Sequence, residues 1–500
     1  MPAKIMKEYT VESDGVKVKV QITKIDAEFV LSYVLDIPEY EKGTAALLAT
    51  MKKNIISDAN IRTEKMLDPE FIKTLKNTFR IRALAILSKE VPQLPQSTRE
   101  SLAGILLHEM LGLGKIEFLI SDDDLEEIVI NQAKHPVWVY HKEFGWLKTN
   151  IEIPNEAEVH NYASIIARRI GKQITILNPL LDAHLITGDR ANATLSPISS
   201  KGNTITLRRF KRSPWTVTDF IKNDTVSAES IALIWLAMQF EMNIIVSGGT
   251  GSGKTSFLNV CMPFIQPNQR ILSIEDTREI QLSDFQHWVP LTTREPNPEG
   301  KGEVSMLDLL VNYLRMRPDR IIVGEILRQR EAEVMFEAMH TGHSVYTTFH
   351  ANTAEETIRR MINPPIEVPS ALLESVNLNV VMFRNRRLGV RKMLELAEYI
   401  PEKGGEKYTI TANVLYRWNA TTNHVEKHSE SIRFFDELSL HTGLSKDDLE
   451  SDLHEKEKIL NWMVKNDIHD ISDVGKVIAN YYLDREATLK MIEKNKKVIE

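Results

Sequence analysis

The chain has 500 residues, a formal net charge of −7 and a pI of about 6.1. Its composition, 42% hydrophobic and 26% charged, is ordinary for a folded water-soluble protein, and its length fits roughly three domains. The acidic balance weighs against a protein whose main task is holding nucleic acid, because such proteins carry a basic surface. The single cysteine, Cys261, excludes a disulfide framework within the chain and any multi-cysteine metal site.

The first ten residues lack the apolar core of a signal peptide. The longest strongly apolar stretch, residues 231–238, is too short to cross a bilayer, and Gln239, Glu241 and Asn243 interrupt its extension. We therefore expect a cytoplasmic protein without a membrane span, peripheral at the inner face of the membrane through a partner.

The first predicted elements form a small mixed domain over residues 1–104. Residues 17–22 alternate polar and apolar side chains, which predicts a half-buried strand. The spacing over residues 44–88 and 101–113 predicts helices, and the Pro-Gln-Leu-Pro segment at 92–95 predicts a break between them.

A second region, residues 105–212, is predicted as an α+β domain, followed by a linker at 213–224. A helix is predicted over residues 156–170, and strands are predicted at residues 128–130, 137–140, 191–194 and 204–208. The segment Ser213-Pro214-Trp215 is typical of a hinge.

In the third region, residues 225–400, short apolar runs alternate with helical patterns. The predicted strands are residues 244–246, 271–274, 321–323, 345–349 and 380–383. This alternation predicts an α/β sheet with its active residues at the carboxyl ends of the strands.

Residues 401–500 are predicted to form a strand and helix extension, beginning with a solvated turn at 401–407. From residue 429 the pattern is helical, with a capping box of Ser445 and Asp448. The apolar face of this tail is better read as a packed cap than as a docking surface. That face comprises Leu449, Leu453, Leu460 and Met463.

The most informative motif fits the phosphate-binding pattern G-x-x-x-x-G-K-[ST] between a predicted strand and a predicted helix. Its glycines allow successive backbone N–H groups to point at phosphate oxygens, beside a helix N-terminus. We expect Lys254 to reach the β- and γ-phosphates and Thr255 to bind Mg²⁺. The predicted nucleotide-binding residues are Gly248, Gly249, Thr250, Gly251, Ser252, Gly253, Lys254, Thr255 and Ser256.

Carboxylates follow two of the later strands. Hydrolysis needs a carboxylate to orient or deprotonate water, and Glu275, Asp276 and Glu279 supply candidates after the strand at 271–274. Glu325 follows the apolar strand at 321–323, where it would either hold Mg²⁺ or polarise water. Asp276 is a further candidate for the metal.

Three of the 14 histidines, His340, His343 and His350, fall within eleven residues. Beside a nucleotide site they are read as phosphate sensors or switch residues. Zinc is the alternative, although no cysteine or nearby carboxylate completes a ligand set.

Arginines are candidate stabilisers of the charge that develops on phosphate oxygens, acting from a neighbouring subunit or domain. Ordinary surface charge is an equal alternative for each of them. The candidates are Arg208, Arg209, Arg212, Arg315, Arg317 and Arg320.

Four segments in this order, GGTGSGKT, IEDTREI, RPDRIIVGEIL and TGHSVYTTFHAN, resemble the Walker A, Asp, Walker B and His boxes of the type II and type IV secretion ATPase superfamily. Residues 124–128, 178–185, 188–190 and 206–210 are similar to its N-terminal domain and linker. The resemblance implies a RecA-like P-loop NTPase core, an α+β N-terminal domain and a helical C-terminal tail.

The same resemblance implies Mg²⁺-dependent ATP hydrolysis by a homohexamer with ATP at its subunit interfaces. It also implies a polytopic membrane platform protein that receives the force, and cytoplasmic accessory proteins of the filament machinery. Carried onto this sequence, Glu275 is preferred to Glu279 as the catalytic glutamate, and Glu325 is the Walker B acid. The His box residues are His343 and His350, and the interface arginines are Arg208, Arg209, Arg315 and Arg317.

Within the superfamily the chain resembles the archaeal branch, because it lacks a tetracysteine zinc module. Residues 29–34 and 43–44 are similar to archaellum motor ATPases, and archaeal pilus-assembly or secretion ATPases are close behind. Two other classes are alternatives. A nucleic-acid translocase or helicase would share this core, but the acidic charge disfavours it, and Glu275 and Glu325 disfavour a non-motor nucleotide-switch scaffold.

Overall fold

A computed structural model describes residues 4–25, 28–37, 42–57, 69–185, 189–209, 214–294, 296, 300–385, 387–404 and 407–495. The chain divides into two units, residues 1–212 and 213–500. The boundary predicted after residue 104 lies within a helix, and the one predicted after residue 400 lies within a strand. Arg212 and Ser213 lie outside the described residues, as do parts of the segments 44–88, 188–190, 206–210 and 401–407.

The first unit is built on a mixed sheet in which β3 and β6 are parallel and the other neighbours are antiparallel. Its order in the described residues is β1-β2-β3-β6-β5-β4-β9-β8-β7. The strands are β1 (Lys4–Ser13), β2 (Val16–Lys24), β3 (Ser32–Asp36), β4 (Leu125–Ile130), β5 (Pro136–His141), β6 (Gly145–Glu152), β7 (Leu180–His184), β8 (Arg190–Thr194) and β9 (Thr204–Arg208).

The sequence of β2 shows why this sheet has one buried face. Val16, Val18 and Val20 are buried while Lys17 and Lys19 between them are exposed, as the period of two in a strand requires. The predicted half-buried strand is therefore confirmed.

Helices of the first unit are α1 (Lys42–Ser57), α2 (Pro69–Glu90), α3 (Gln96–Leu111), α4 (Ile116–Ile120) and α5 (Glu156–Arg169). The predicted break at 92–95 separates α2 from α3, and the predicted helix at 156–170 is α5. Asn155 caps α5 by accepting a hydrogen bond from the backbone of Glu158 at 2.9 Å.

The second unit contains a sheet with the order β12-β11-β13-β14-β10-β15-β16-β17-β18 in the described residues. Pairing is parallel from β12 to β15 and antiparallel from β15 to β18. The strands are β10 (Ile244–Gly248), β11 (Ile271–Glu275), β12 (Trp288–Thr292), β13 (Arg320–Val323), β14 (Ser344–Phe349), β15 (Leu378–Asn385), β16 (Val390–Gly404), β17 (Lys407–Asn419) and β18 (His424–Lys427).

The central strands are buried along their whole length, which explains their continuous apolar runs. All five strands predicted in this region are confirmed, as β10, β11, β13, β14 and β15. At residues 401–407 the structure differs from the predicted turn, because β16 continues to Gly404 and β17 begins at Lys407.

The helices of this unit are α6 (Val217–Lys222), α7 (Ala228–Gln239), α8 (Lys254–Cys261), α9 (Met306–Tyr313), α10 (Gln329–His340), α11 (Ala354–Ile362), α12 (Phe434–Thr442), α13 (Lys446–Lys465), α14 (Ile471–Leu483) and α15 (Arg485–Glu493). The apolar stretch at 231–238 lies in α7, a helix buried on every side. Among the described helices, none combines the length and apolarity that a bilayer crossing requires.

The C-terminal helices pack onto α7, as the interpretation of the tail as a packed cap predicts. Leu449, Leu460 and Met463 of α13 are buried in the same core as α7, and Leu453 is half-buried beside them. The capping box of Ser445 and Asp448 is present at the start of α13.

A buried ion pair lies in this contact. Lys456 and Asp452, one turn apart in α13, are paired, and the Lys456 side chain is fully buried. The Tyr481 hydroxyl donates to Asp452 at 2.9 Å, and the Lys456 ammonium lies 5.6 Å from the ring centroid of Trp235. Burial lowers the pKa of Lys456 to about 8, although Asp452 opposes the shift.

We expect Asp452→Asn to lower the free energy of unfolding by about 3 kcal/mol, because it leaves the ammonium of Lys456 buried without its counter-ion. Urea unfolding followed by tryptophan fluorescence would measure this change. The matched control is Glu486→Gln, which removes an exposed partner of Lys490 in α15 and should leave the midpoint unchanged. Equal losses in both variants would contradict this account of the buried pair.

Candidate active site

Four chain segments meet at the carboxyl edge of the second sheet. The strands β11, β13, β14 and β10 are consecutive parallel neighbours, so their carboxyl ends lie side by side. Glu275 ends β11, Glu325 follows β13, His350 follows β14, and the glycine-rich loop follows β10. The order of the strands thus gathers residues that are far apart in the sequence.

The glycine-rich loop has a backbone that only glycine can supply at several positions. Gly248, Gly251 and Gly253 have φ angles of 153°, 71° and 95°. A Cβ atom on Gly248 would lie 2.4 Å from the Met382 carbonyl oxygen of β15. Gly253 is the residue before α8, so the N-terminus of that helix opens onto the loop. This is the geometry of a phosphate cradle.

Lys254, His350 and Glu325 form a row beside the loop. The Lys254 ammonium lies 3.2 Å from His350 Nδ1, and His350 Nε2 lies 2.8 Å from Glu325 Oε1. The Lys254 ammonium carries only donors, so it donates to His350 Nδ1, whereas the contact of Nε2 with Glu325 is electrostatic and lacks hydrogen-bond geometry. The lysine would have to exchange this partner for a phosphate oxygen when nucleotide binds.

Burial shifts both charged ends of this row toward neutrality. It lowers the pKa of Lys254, an effect that the charges of Glu325 and Glu279 oppose. It raises the pKa of Glu325, against the attraction of His350 and Lys254. The site is therefore poorly solvated, a condition under which a bound anion interacts strongly with the lysine.

Glu275 is buried at the end of β11 with one oxygen fixed and the other unpartnered. Its Oε1 accepts hydrogen bonds from the backbone N–H groups of Glu279 at 2.9 Å and Ile280 at 3.0 Å. Its Oε2 has no hydrogen-bond partner within the described part of the chain. Burial raises the pKa of Glu275 to about 7, although the two N–H groups oppose the shift. A buried carboxyl group with these properties suits a general base for water.

The other predicted acids are placed differently. Glu279 is half-buried and lies close enough to Lys254 and Glu325 for its charge to affect both. Asp276 is exposed and accepts a hydrogen bond from the Thr293 hydroxyl at 2.9 Å. Because Glu275 is the most buried of the three acids, we still prefer it as the general base, and this assignment stays a prediction.

The residues present fit Mg²⁺ held together with phosphate. Magnesium commonly takes one or two protein ligands and completes its shell with phosphate oxygens and water. Thr255, half-buried in the first turn of α8, and Glu325 offer such ligands. In the described ranges no group of three or more His, Cys, Asp or Glu side chains is placed to hold a metal ion on its own.

The structure does not bring all three histidines to the loop. His340 ends α10 and His343 precedes β14, whereas His350 follows β14. The six residues of β14 span roughly 20 Å, so the three imidazoles do not bind one zinc ion. His343 instead lies edge-on to the Tyr313 ring, with the centroids 6.0 Å apart.

Three of the predicted arginines lie at the edge of the second sheet opposite to the loop. Arg315 and Arg317 are exposed in the segment before β13, at the amino edge of the sheet. Arg320 is buried there and donates to Gln269 Oε1 at 2.8 Å and to the Met238 carbonyl at 2.9 Å. Its role within this unit is therefore structural.

Arg208 and Arg209 lie in the first unit, at the end of β9. Arg208 is exposed. The Arg209 side chain is only 5% exposed, and its guanidinium donates to the Asp122 carbonyl and pairs with Asp123 at 3.3 Å. Contacts within the first unit thus already engage Arg209.

Sequence reasoning missed four residues beside the loop. Asn352 and Arg360 line a cavity of about 350 Å³ together with residues 248–250, His350 and Ala351. Arg384 and Arg391 approach Gly251 from β15 and β16. For Arg384 and Arg391 the available signal was the dense basic run at residues 384–392, directly after the last predicted core strand.

A glycine-rich loop between a buried parallel strand and a helix, with acids and a histidine on the adjacent strands, defines a P-loop NTPase with a RecA-like core. Residues 182–395 match the family model described as "Type II/IV secretion system protein". The chain belongs to this family, and it is an ATPase of the type II/IV secretion class.

The chain is 35% identical to the uncharacterized protein MJ0900 of Methanocaldococcus jannaschii, over 77% of this chain and 70% of that protein. It is 31% identical to the conjugal transfer protein TrbB of Rhizobium radiobacter, over 51% of this chain and 77% of that protein. The crystal structure of the VirB11 ATPase from the Brucella suis type IV secretion system is 24% identical, with a TM-score of 0.29, over 55% of this chain and 90% of that one.

We expect Gly248→Ala to weaken nucleotide binding at least tenfold. The new Cβ atom would overlap the Met382 carbonyl and displace the loop from its phosphate-binding conformation. Titration with a fluorescent ADP analogue measures the effect. Gly342→Ala is the matched control, since Gly342 has a φ of 88° but open space around it. Gly342 lies at the amino edge of the sheet, so nucleotide affinity that falls equally in both variants would contradict the role given to the contact between Gly248 and Met382.

We expect Glu275→Gln to lower kcat at least 100-fold, within the range for loss of a general base. The wild-type kcat should rise with pH around 7, where Glu275 loses its proton, and the variant should lose this dependence. Because burial raises the pKa of Glu275, its ionisation destabilises the fold as pH rises from about 4.5 to about 7. Glu275→Gln should therefore unfold at a higher temperature than wild type at pH 8, with a smaller difference at pH 5.

The companion variant for this test is Glu279→Gln. It removes the charge of the half-buried neighbour and keeps the backbone N–H that donates to Glu275. A pH–rate profile that is lost in Glu279→Gln and kept in Glu275→Gln would assign the base to Glu279.

Proposed function

We propose that the chain binds Mg²⁺-ATP at residues 248–255 and hydrolyses it with Glu275 as general base, to drive assembly or rotation of an archaeal type IV pilus-like filament. The observation that supports this most directly is the convergence of Glu275, Glu325, His350 and Lys254 on one glycine-rich loop. Three of these side chains carry burial-driven pKa shifts, and such shifts concentrate at catalytic sites.

In this proposal the phosphate-binding groups and the general base are separate parts of the chain. The backbone N–H groups of the loop and the N-terminus of α8 hold the phosphates, and Lys254 places its charge on them. Glu275, fixed through Oε1, uses its unpartnered Oε2 to take a proton from the attacking water. When bound, Mg²⁺ supplies charge neutralisation on the phosphate oxygens.

His350 is placed to report the state of the loop. It touches Lys254 on one side and Glu325 on the other, so a lysine that moves to phosphate releases Nδ1 of the imidazole. We infer that His350 changes partners between the free and the nucleotide-bound states. His343, at the other end of β14, has no part in this exchange within one subunit.

We further propose a homohexamer with each nucleotide at a subunit interface. Arg315, Arg317 and His343 lie at the amino edge of the sheet, away from the loop of their own subunit. They can act on a nucleotide only if a neighbouring subunit presents them to it. Arg208 and Arg209 at the end of the first unit are further candidates for this role.

The force would be delivered to a polytopic membrane platform protein, with the ATPase peripheral at the cytoplasmic face of the membrane and accessory proteins beside it. Support for the archaeal branch comes from three proteins of Methanocaldococcus jannaschii, to which this chain is 35%, 25% and 34% identical. Support for the archaellum comes from the resemblance of residues 29–34 to archaellum motors, and pilus assembly is the competing output.

We expect the purified full chain to hydrolyse ATP as a nucleotide-dependent hexamer, with turnover that anionic lipid vesicles leave unchanged or stimulate and that DNA does not affect. Lys254→Ala should abolish hydrolysis while circular dichroism stays unchanged, because the lysine acts on bound phosphate. The control is Lys458→Ala, on an exposed position of α13. Light scattering gives the oligomeric state.

Strong stimulation by single-stranded or duplex DNA with a steep salt dependence would reassign the chain to the nucleic-acid translocases. Turnover well below about one per minute with all four boxes intact would indicate a nucleotide-switch scaffold, since enzymes usually work far faster. In cells, loss of swimming with pili retained would favour the archaellum, and loss of pili would favour pilus assembly.

A further inference from the structure

Two arginines lie beside the phosphate-binding loop, at Gly251. Arg384 of β15 and Arg391 of β16 are directly paired across the antiparallel hairpin. The Arg391 Nε–H donates to the Gly251 carbonyl oxygen at 3.1 Å. Arg384 Nη1 lies 3.0 Å from the position that a Cβ atom on Gly251 would occupy. Both side chains are half-buried.

This placement is costly for the sheet itself. Two like charges directly opposite each other in an antiparallel pair are destabilising. Cross-strand stability therefore does not account for the pair, whereas the position beside Gly251 gives Arg391 a specific acceptor.

A phosphate-binding loop needs such a donor on its outer side. When successive N–H groups turn inward toward an anion, the carbonyl groups between them turn outward. A half-buried carbonyl without a donor is unfavourable. The planar guanidinium of Arg391 makes a strong, directional hydrogen bond.

The strand that carries Arg391 is itself fixed at several points. Lys392 donates to the Asp224 carbonyl at 2.8 Å, and Glu395 accepts from the backbone N–H of Ala354 at 3.0 Å. Farther along, Glu398 accepts from the backbone N–H of Phe434 at 2.7 Å. Arg391 thus extends from a rigid support, which is the requirement for a residue that positions a loop.

We propose that Arg391 is a positioning residue that holds the phosphate-binding loop in its inward-facing conformation before nucleotide arrives, through its hydrogen bond to the Gly251 carbonyl. This inference rests on the proposed function of the loop. The hydrogen bond is to a backbone carbonyl, an acceptor that does not itself bind phosphate, so Arg391 acts on nucleotide affinity and leaves the chemical step to Glu275 and its neighbours.

The test compares the full-length wild type with Arg391→Ala, Arg391→Lys and a matched control, Arg387→Ala. Arg387 lies on the exposed tip of the same hairpin, so its removal changes the charge equally without touching the loop. Fluorescent ADP titration gives Kd, steady-state hydrolysis gives KM and kcat, and thermal unfolding without nucleotide reports the fold.

We expect Arg391→Ala to raise Kd and KM about tenfold, the effect of losing one hydrogen bond from a charged donor, with kcat within about twofold of wild type. Arg391→Lys should recover part of the affinity, because its ammonium reaches the carbonyl without the planar fork of arginine. Arg387→Ala should match wild type in every measurement.

Wild-type protein that binds no ADP would overturn both the proposed function and this inference. Tight ADP binding by wild type and equally by Arg391→Ala would overturn this inference alone. A fall in kcat with unchanged KM would assign Arg391 to the chemical step, again against a positioning role. If Arg391→Ala does not fold, the affinity of the folded Arg391→Lys decides: no change from wild type would overturn the inference.

Discussion

The parallel alignment of β11, β13, β14 and β10 is the constraint on which the site depends. Parallel neighbours place all their carboxyl ends at one edge, and here the pairing continues beyond the strands. The Gly324 N–H donates to the Ile274 carbonyl at 2.8 Å, and the Thr348 hydroxyl donates to the Gly324 carbonyl at 2.6 Å. These two bonds fix the residue after β13 between its neighbours, so that Glu325 lies between the segments that carry Glu275 and His350.

A second constraint comes from the charged side chains of β16. Buried carboxylates are stable only when hydrogen bonds replace their hydration, and Glu398 meets this condition at the start of α12. It accepts from the backbone N–H groups of Ile432 at 2.6 Å, Arg433 at 3.1 Å and Phe434 at 2.7 Å. One strand therefore contacts the nucleotide loop through Arg391 and the first C-terminal helix through Glu398, which joins the cap to the catalytic edge by short, directional bonds.

Much of the second unit was predictable because its signals are local. The buried parallel strands are continuous apolar runs, and the loop needs glycines at fixed spacing, so both are visible in the sequence. Which ends of the strands meet is set by the sheet order. His343 and His350 are only seven positions apart in the chain, but they lie at opposite ends of β14 and therefore at opposite edges of the sheet. Arg391 and Arg320 were missed or misread because their partners, Gly251 and Met238, are distant in sequence. No spacing rule encodes such contacts.

Burial lowers the pKa of Lys254 and raises the pKa of Glu275. These two shifts determine how the site responds to a bound anion. A phosphate beside Lys254 restores the charged form of the lysine, since an opposite charge at short range outweighs desolvation. The same negative charge near Glu275 favours the protonated carboxyl, so a base with a pKa of about 7 is close to the upper limit for use at neutral pH. The two N–H groups on Oε1 counter this effect by stabilising the carboxylate. Their donors belong to residues 279 and 280, so the conformation of this short segment, as much as the glutamate itself, determines whether the base is ionised when nucleotide is bound.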